Sequence, residues 1–357
     1  MKKYTEGLVI GKFYPPHLGH HYLIDTALEQ SEHVTVLVLG TLFDTISVKD
    51  RVKMLEAVHA NMNITVKPVL DHAYDDYDSK IIWKVHQTLM ENKLDVFPDA
   101  VFTSETYGSE LAENFKAEHV CVDYKRHHVP ISATAIRKDL YLQWNRMHKE
   151  VQKYFRTEVV VMGAESTGTT TLAKDLAKHY RKRGGIFSTT PCIPEYGREY
   201  SEQRVLDGAV HAEGWAPEDF WNIAKGQQEL YLEAVGNTKS PLVISDTDGF
   251  ATEAFGGYYG VPSGETGVSD YSVFSQKNAG SIYLITDHEN MPMVVDPARL
   301  DDIDDRDAST QSFIDICNRY DLPYILMSGN RTERLETSVK LIDKLMAMKA
   351  FIRPPVK

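Results

Sequence analysis

Short β-branched runs alternate with longer amphipathic stretches along this chain, and the alternation happens twice. In the first half, Leu8 to Phe13, Val34 to Leu39, Ile64 to Val69, Ala100 to Thr103 and His119 to Val122 predict strands. Segments of helical spacing lie between them, such as Val52, Leu55, Ala57 and Val58 after Lys49. The second half restarts at Glu158 to Met162 and continues with Leu242 to Ser245, Ser281 to Ile285 and Tyr324 to Met327. Strands separated by helix-length segments are joined by crossovers and therefore run parallel, so the pattern predicts an α/β fold in two domains, 1–156 and 157–357. Tyr141 to Arg156, rich in aromatic and basic residues, reads as a helix leading into the junction near Thr157. Arg334 to Phe351 reads as a closing helix packed on the second domain.

Composition narrows the class. The 357 residues are 42% hydrophobic and 25% charged, the balance of a soluble globular protein. No apolar run approaches the roughly 18 to 20 residues that span a bilayer, and MKKYTEGLVI is too short in apolar length for a secretion signal, so a cytoplasmic location with no membrane partner is expected. A net charge of -12 argues against a general nucleic-acid binder. Cys121, Cys192 and Cys317 form no C-x-x-C pair and support neither a disulfide framework nor a zinc site. The sequence leaves homo-oligomerisation open.

The first candidate chemistry lies in GKFYPPHLGHHYLIDTALEQ, from Gly11. A strand ends at Phe13, a proline turn follows, and His17, Gly19 and His20 stand where the next helix should begin. Free N–H groups and partial positive charge collect at such a point, and phosphates settle there. Two histidines add donors for charge developing on a phosphoryl group. The string resembles the H-x-G-H signature of the nucleotidyltransferase superfamily. VPISATAIRKDL, from Val129, resembles the I-S-x-T-x-x-R element of the same superfamily: Ser132 and Thr134 are capping residues, and Arg137 on the first turns can pair with the β and γ phosphates of ATP. None of these groups is a nucleophile, which points to direct in-line attack of a phosphate monoester on the α-phosphorus of ATP, assisted by Mg²⁺.

The second half carries GAESTGTTTLA, residues 163 to 173, a phosphate-binding loop with Thr169 where the pattern places lysine. Backbone N–H groups from Gly163, Glu165, Ser166, Thr167, Gly168, Thr169, Thr170 and Thr171 can cradle phosphates whatever side chain stands at 169. Thr170 is positioned to ligate Mg²⁺, and PLVISDTD is an apolar strand ending in Asp246, the metal-associated acid of such enzymes. IPEYGREY, from Ile193, resembles an E-Y-x-R-E-Y stretch of related kinases and offers Glu195, Arg198 and Glu199 for a ribose or an attacking hydroxyl, and either Asp246 or Asp248 can take that hydroxyl's proton. LDDIDDRD, from Leu300, falls where related kinases have a lid, with Arg299 or Arg306 within reach of the phosphates on closure. Tyr258 and Tyr259 of AFGGYYG read as packing residues before stacking ones.

VFTSETYGSELA, from Val101, and VDYKRHHVPISATAIR, from Val122, resemble the nicotinamide mononucleotide (NMN) adenylyltransferase branch, and nearest to it the NadR family. That resemblance covers nearly the whole chain. It implies a Rossmann-like nucleotidyltransferase domain followed by a P-loop kinase-like domain with a parallel sheet. It also implies NAD synthesis from NMN and ATP in the first domain and phosphorylation of nicotinamide riboside in the second. On this reading His17, His20 and Arg137 are catalytic, and Gly11, Lys12, Phe13, Gly19, Ser132 and Thr134 bind ATP. Asp246 serves the second domain's transfer, and Glu195, Tyr196, Arg198 and Asp248 bind the riboside. Some members carry an N-terminal helix-turn-helix; no DNA-binding module is expected here. Two rivals stay open: an adenylyltransferase for another phosphate ester, such as phosphopantetheine or flavin mononucleotide, and a nucleotide-sensing regulator with an inactive P-loop. Thr169 leaves the second domain as a slow or lid-rescued kinase, a sensor, or a structural unit.

Overall fold

A computed structural model describes residues 2–71, 79–105, 108–206, 214–261, 271, 273–276, 279–289 and 306–355. Its contacts divide the chain into two compact units, residues Met1–Phe155 with Lys349–Lys357, and Arg156–Met348. The last nine residues, grouped with the second half on sequence, thus belong with the first unit: Ile352 is buried and the Arg353 N–H donates to Thr45 Oγ1 at 3.1 Å.

The first unit holds β1 (Tyr4–Gly11), β2 (Ser31–Gly40), β3 (Ile64–Leu70), β4 (Ala100–Thr103) and β5 (Glu118–Cys121) in the order β3-β2-β1-β4-β5, with every neighbouring pair parallel. β1 and β2 are buried on both faces and read as almost continuous apolar runs, whereas the edge strands β3 and β5 are only partly buried. Side chains alternate between two cores, Val9, Ile24 and Leu55 in one and Leu8, Ile10 and Phe115 in the other. The chain leaves β1 toward β2 on one side and returns to β4 on the other. This reversal opens a crevice at the carboxyl ends of β1 and β4, where ligands bind in doubly wound sheets.

The second unit holds β6 (Thr157–Gly163), β7 (Cys192–Ile193), β8 (Leu242–Asp246), β9 (Ile282–Thr286) and β10 (Tyr324–Met327), again all parallel, in the order β10-β9-β6-β8-β7. Central β6 leads directly into the loop at 163. Among the described residues no helix is long and apolar enough to cross a membrane.

Three local expectations change. β1 ends at Gly11, because Phe13 turns the chain with φ 46°. Edge strand β7 was not foreseen, being only two residues long. Tyr141 to Arg156 is not one helix but a 3₁₀ turn, Trp144–Arg146, and a short helix, Lys149–Phe155. The Gln152 amide donates to the carbonyls of Trp144 and Met147 at 2.8 and 3.1 Å and satisfies the break. The expected lid, including Arg299, lies largely outside the described residues; Arg306 opens the helix Arg306–Arg319.

Candidate functional site

In the first unit the loop after β1 delivers His17 to the N-cap of the helix Leu18–Gln30, where its backbone is extended and its Nδ1 accepts the His20 N–H at 3.3 Å. That bond leaves the proton of a neutral ring on Nε2. One turn later His20 stacks on His17, ring centroids 3.6 Å apart, while Phe13 packs edge-on behind it at 4.9 Å. Gly19 leaves room for the His17 ring: a Cβ there would lie 3.1 Å from His17 Cε1 and crowd it. Burial, reinforced by the Arg126 and Arg137 charges, pushes His17 down to about 3. Burial and then its histidine neighbours hold His20 well below its ordinary value. Both are neutral hydrogen-bond donors at physiological pH.

Ser132 caps the short helix Ala133–Lys138, accepting the Ala135 N–H at 3.2 Å. Arg137 on that helix donates to Tyr14 O at 2.6 Å and to Thr134 Oγ1 at 2.9 Å, which fixes its guanidinium at the mouth of the crevice. His17, His20, Arg137, Lys12, Phe13, Gly19, Ser132 and Thr134 all line one open cleft. Gly11 lies outside that lining and packs under the Phe13 ring.

The sequence reading missed several supports. Asp123 accepts the N–H groups of His127, His128 and Val129 at 2.7 to 3.2 Å and so folds the loop that presents Arg126 to the cleft. Buried Arg51 pairs with Asp44 at 2.6 Å and donates to Leu39 O and Lys12 O, tying together the ends of β1 and β2. Pro355 joins the lining from the far end of the chain. Only the quoted run from Val122 carried a signal for any of these.

In the second unit the Thr170 hydroxyl donates to Asp246 Oδ2, joining the first turn of the helix Thr169–Arg183 to the end of β8. Gly168 is the N-cap at φ 90°, a left-handed turn that glycine adopts without steric cost. Thr167 is fully buried and donates to Ala164 O at 2.6 Å, so its side chain braces the loop and does not face a ligand. Ser166 turns the loop at φ 61°, and Thr171 is exposed. An adjoining pocket is lined by Gly163, Glu165, Thr169, Glu195 and Arg198, with Ser201, Thr247 and Thr252.

Two riboside candidates stand elsewhere. Asp248 caps the helix Gly249–Tyr258: one oxygen accepts the N–H groups of Phe250 and Ala251 at 2.9 and 3.0 Å, the other the Tyr283 hydroxyl at 2.8 Å. Burial raises it to about 6, and both its oxygens are committed outside the cavity lining. The Tyr196 ring lies against Gly226 and its N–H donates to Gln227 Oε1 at 2.8 Å. Tyr259 packs as expected, against the cluster of Phe220, Ala224 and Tyr271, and it also stands on the cavity wall, donating to Glu165 Oε1 at 2.8 Å. Trp215 and Phe220 complete an aromatic corner with it, centroids 5.4 to 6.3 Å apart. WAPEDF, from Trp215, was the sequence signal for that corner.

Comparison with known proteins follows the same division. Residues 8–139 match the cytidylyltransferase-like family model and residues 158–334 the AAA domain model. The trifunctional NAD biosynthesis/regulator protein NadR of Escherichia coli (strain K12) is 30% identical over 270 residues, covering 71% of this chain and 63% of that protein. The Salmonella typhimurium (strain LT2) protein of the same name is 28% identical over 264 residues, 70% and 62% of the two chains. The chain is similar to these NadR proteins over about 70% of its own length. It spans a little under two thirds of the length of these NadR proteins. A crystal structure of NadR protein in complex with NR has the same fold, with a TM-score of 0.62 at 19% identity over 97% of this chain and 96% of that one. NadR protein in complex with NAD and AMP-PNP gives 0.61 at 19% identity, over 97% of each chain.

Proposed function

We propose that the first unit transfers the adenylyl group of ATP to NMN, giving NAD and pyrophosphate, and that the second phosphorylates nicotinamide riboside with ATP to give NMN. The observation that carries this is the convergence of His17, His20 and Arg137 on one cleft at the switch point of the sheet. The names of the NadR relatives and the NR, NAD and AMP-PNP complexes of NadR support it. The NMN phosphate attacks the α-phosphorus, and the α–β bridging oxygen leaves with pyrophosphate. His17 and His20, held neutral, donate hydrogen bonds to charge gathering on the phosphoryl oxygens without giving up a proton, and Arg137 pairs with the leaving phosphates.

In the second unit the aromatic corner of Trp215, Phe220 and Tyr259 receives the flat base, and Glu195 and Arg198 face the ribose. Asp246 is the group within reach of the 5′-hydroxyl, since Asp248 is committed to its helix cap. The touching Thr170 hydroxyl and Asp246 carboxylate are hard oxygen donors that would hold Mg²⁺. Bound there, Mg²⁺ neutralises phosphate charge. Among the described residues no group of three His, Cys, Asp or Glu side chains makes a metal site unaided, which suits an ion carried in with the nucleotide.

Thr169, standing where the lysine pattern expects an ammonium, favours a second reading for this unit alone: a sensor that binds nucleotide without transfer. Purified protein incubated with Mg²⁺-ATP and either nicotinamide riboside or NMN, followed by chromatography, separates the two. NAD from the riboside supports both activities; NAD from NMN alone selects the sensor; NAD from neither overturns the reading.

A further inference from the structure

The cation that lies against the phosphate loop comes from the closing helix. Arg334, on the helix Arg331–Ala350, is 3% exposed. Its Nη1 donates to Thr167 O at 2.6 Å and its Nη2 to Asp287 O at 2.5 Å, so one guanidinium binds the loop to the residue just past β9. Its Nε is buried with no hydrogen-bond partner among the described residues. Burying a cation with one donor unmet is costly; the charge of the Asp287 carboxylate offsets part of that cost, while both hydrogen bonds go to neutral carbonyls, which do not by themselves require a charge.

The position gives the charge a use. Thr167 O and the Gly168 N–H are the two ends of one peptide, and the N–H groups of such a loop are its phosphate ligands. A cation on the carbonyl end polarises the peptide and strengthens the donor at the other end. Buried in low dielectric, its field is also screened less than that of a surface charge. Lys174, by contrast, is exposed farther along the helix Thr169–Arg183.

We propose that Arg334 is a positioning residue for phosphoryl transfer in the second unit, supplying through the Thr167–Gly168 peptide the positive potential that a lysine at position 169 would supply directly. The inference rests on the reading of this unit as a riboside kinase. It predicts that a cation at 169 and the cation at 334 are partly interchangeable, which a purely mechanical brace is not.

The test is a double-mutant cycle in the full chain: wild type, Thr169→Lys, Arg334→Gln and the double variant, assayed for riboside phosphorylation, with NMN adenylylation by the same samples as an internal control. Arg334→Gln is expected to lower kcat/KM for ATP about 100-fold with adenylylation unchanged. Thr169→Lys is expected to recover about tenfold in the Arg334→Gln background and to have a distinctly smaller effect in the wild type. An equal effect of Thr169→Lys in both backgrounds overturns the proposal. Arg334→Lys keeps the charge and is expected within about tenfold of wild type; a loss as deep as about 100-fold also overturns it, even if Arg334→Gln does not fold. If the wild type makes no NMN from the riboside, the kinase reading fails, and AMP-PNP binding is measured by calorimetry with the first cleft saturated by NAD. The proposal then requires about tenfold weaker binding in Arg334→Gln, restored by Thr169→Lys; unchanged affinity sinks it.

Discussion

The imidazoles of His17 and His20 lie face to face, 3.6 Å between centroids and 16° between planes. Two imidazolium ions would not stack in this way, so the geometry and the depressed pKa values agree on a neutral pair that donates hydrogen bonds. His20→Ala removes one preorganised donor and is expected to lower NAD formation from NMN by about 100- to 1000-fold. Riboside phosphorylation by the same sample should be unchanged. Near wild-type turnover in a chromatographic assay for NAD would refute the role.

The same burial makes the first unit sensitive to acid. His17 and His21 are held at about 3 against an ordinary 6.5, His21 mainly by burial and then by the nearby His59 and His148. Between those values the unfolded chain binds protons that the folded unit refuses, so stability rises with pH across the window and is lost as pH falls below about 6.5. The expected slope is about 1.4 kcal/mol per pH unit for each such histidine. Amide hydrogen exchange in β1 and β2, corrected for intrinsic rates, should show the loss between pH 7 and pH 5. His21→Asn should flatten the dependence, and a flat wild-type profile would contradict buried, neutral rings.

Most of the strands were legible because parallel strands buried on both faces are unbroken apolar runs, as in β6 and β8. The two-residue β7 leaves no such run, and the break after Trp144 depends on a Gln152 side chain whose target no local pattern announces. The helix starts at both candidate sites were legible for a related reason: His17, Ser132 and Thr170 stand there, where residue type and spacing mark the position directly. The supporting residues Arg51, Arg334 and Pro355 were not, because they reach their sites through tertiary packing. Asp248 misled for the opposite reason: its sequence position next to Asp246 suggests chemistry, while its backbone partners make it a helix cap.

Thr170 and Asp246 form a single device in the second unit, so each should fail alone. Thr170→Ala and Asp246→Asn are both expected to reduce riboside phosphorylation by about 100- to 1000-fold, and Thr170→Ser to retain most of it, because serine keeps the hydroxyl. Adenylylation of NMN should not move in any of the three. Raising the Mg²⁺ concentration should recover part of the Asp246→Asn loss if the carboxylate holds the metal; a loss insensitive to Mg²⁺ would assign it to the acceptor hydroxyl instead.

Glu165 is a carboxylate inside a phosphate-binding loop, where charge repulsion forbids it to face a nucleotide's phosphates directly. The Tyr259 hydroxyl, 2.8 Å away, holds it toward the wall of the cavity that also carries Glu195 and Arg198. A hydrogen bond to a carboxylate contributes about 1.5 to 3 kcal/mol, so Tyr259→Phe should raise KM for the riboside roughly tenfold or more. The ring itself stays, and with it the corner formed with Trp215 and Phe220, so kcat should change little. Tyr259→Ala removes ring and hydroxyl together and should weaken riboside binding further. Steady-state kinetics with the two substrates varied separately decides the assignment. A rise confined to KM for the riboside puts Glu165 on the acceptor side; a rise confined to KM for ATP would return it to the nucleotide.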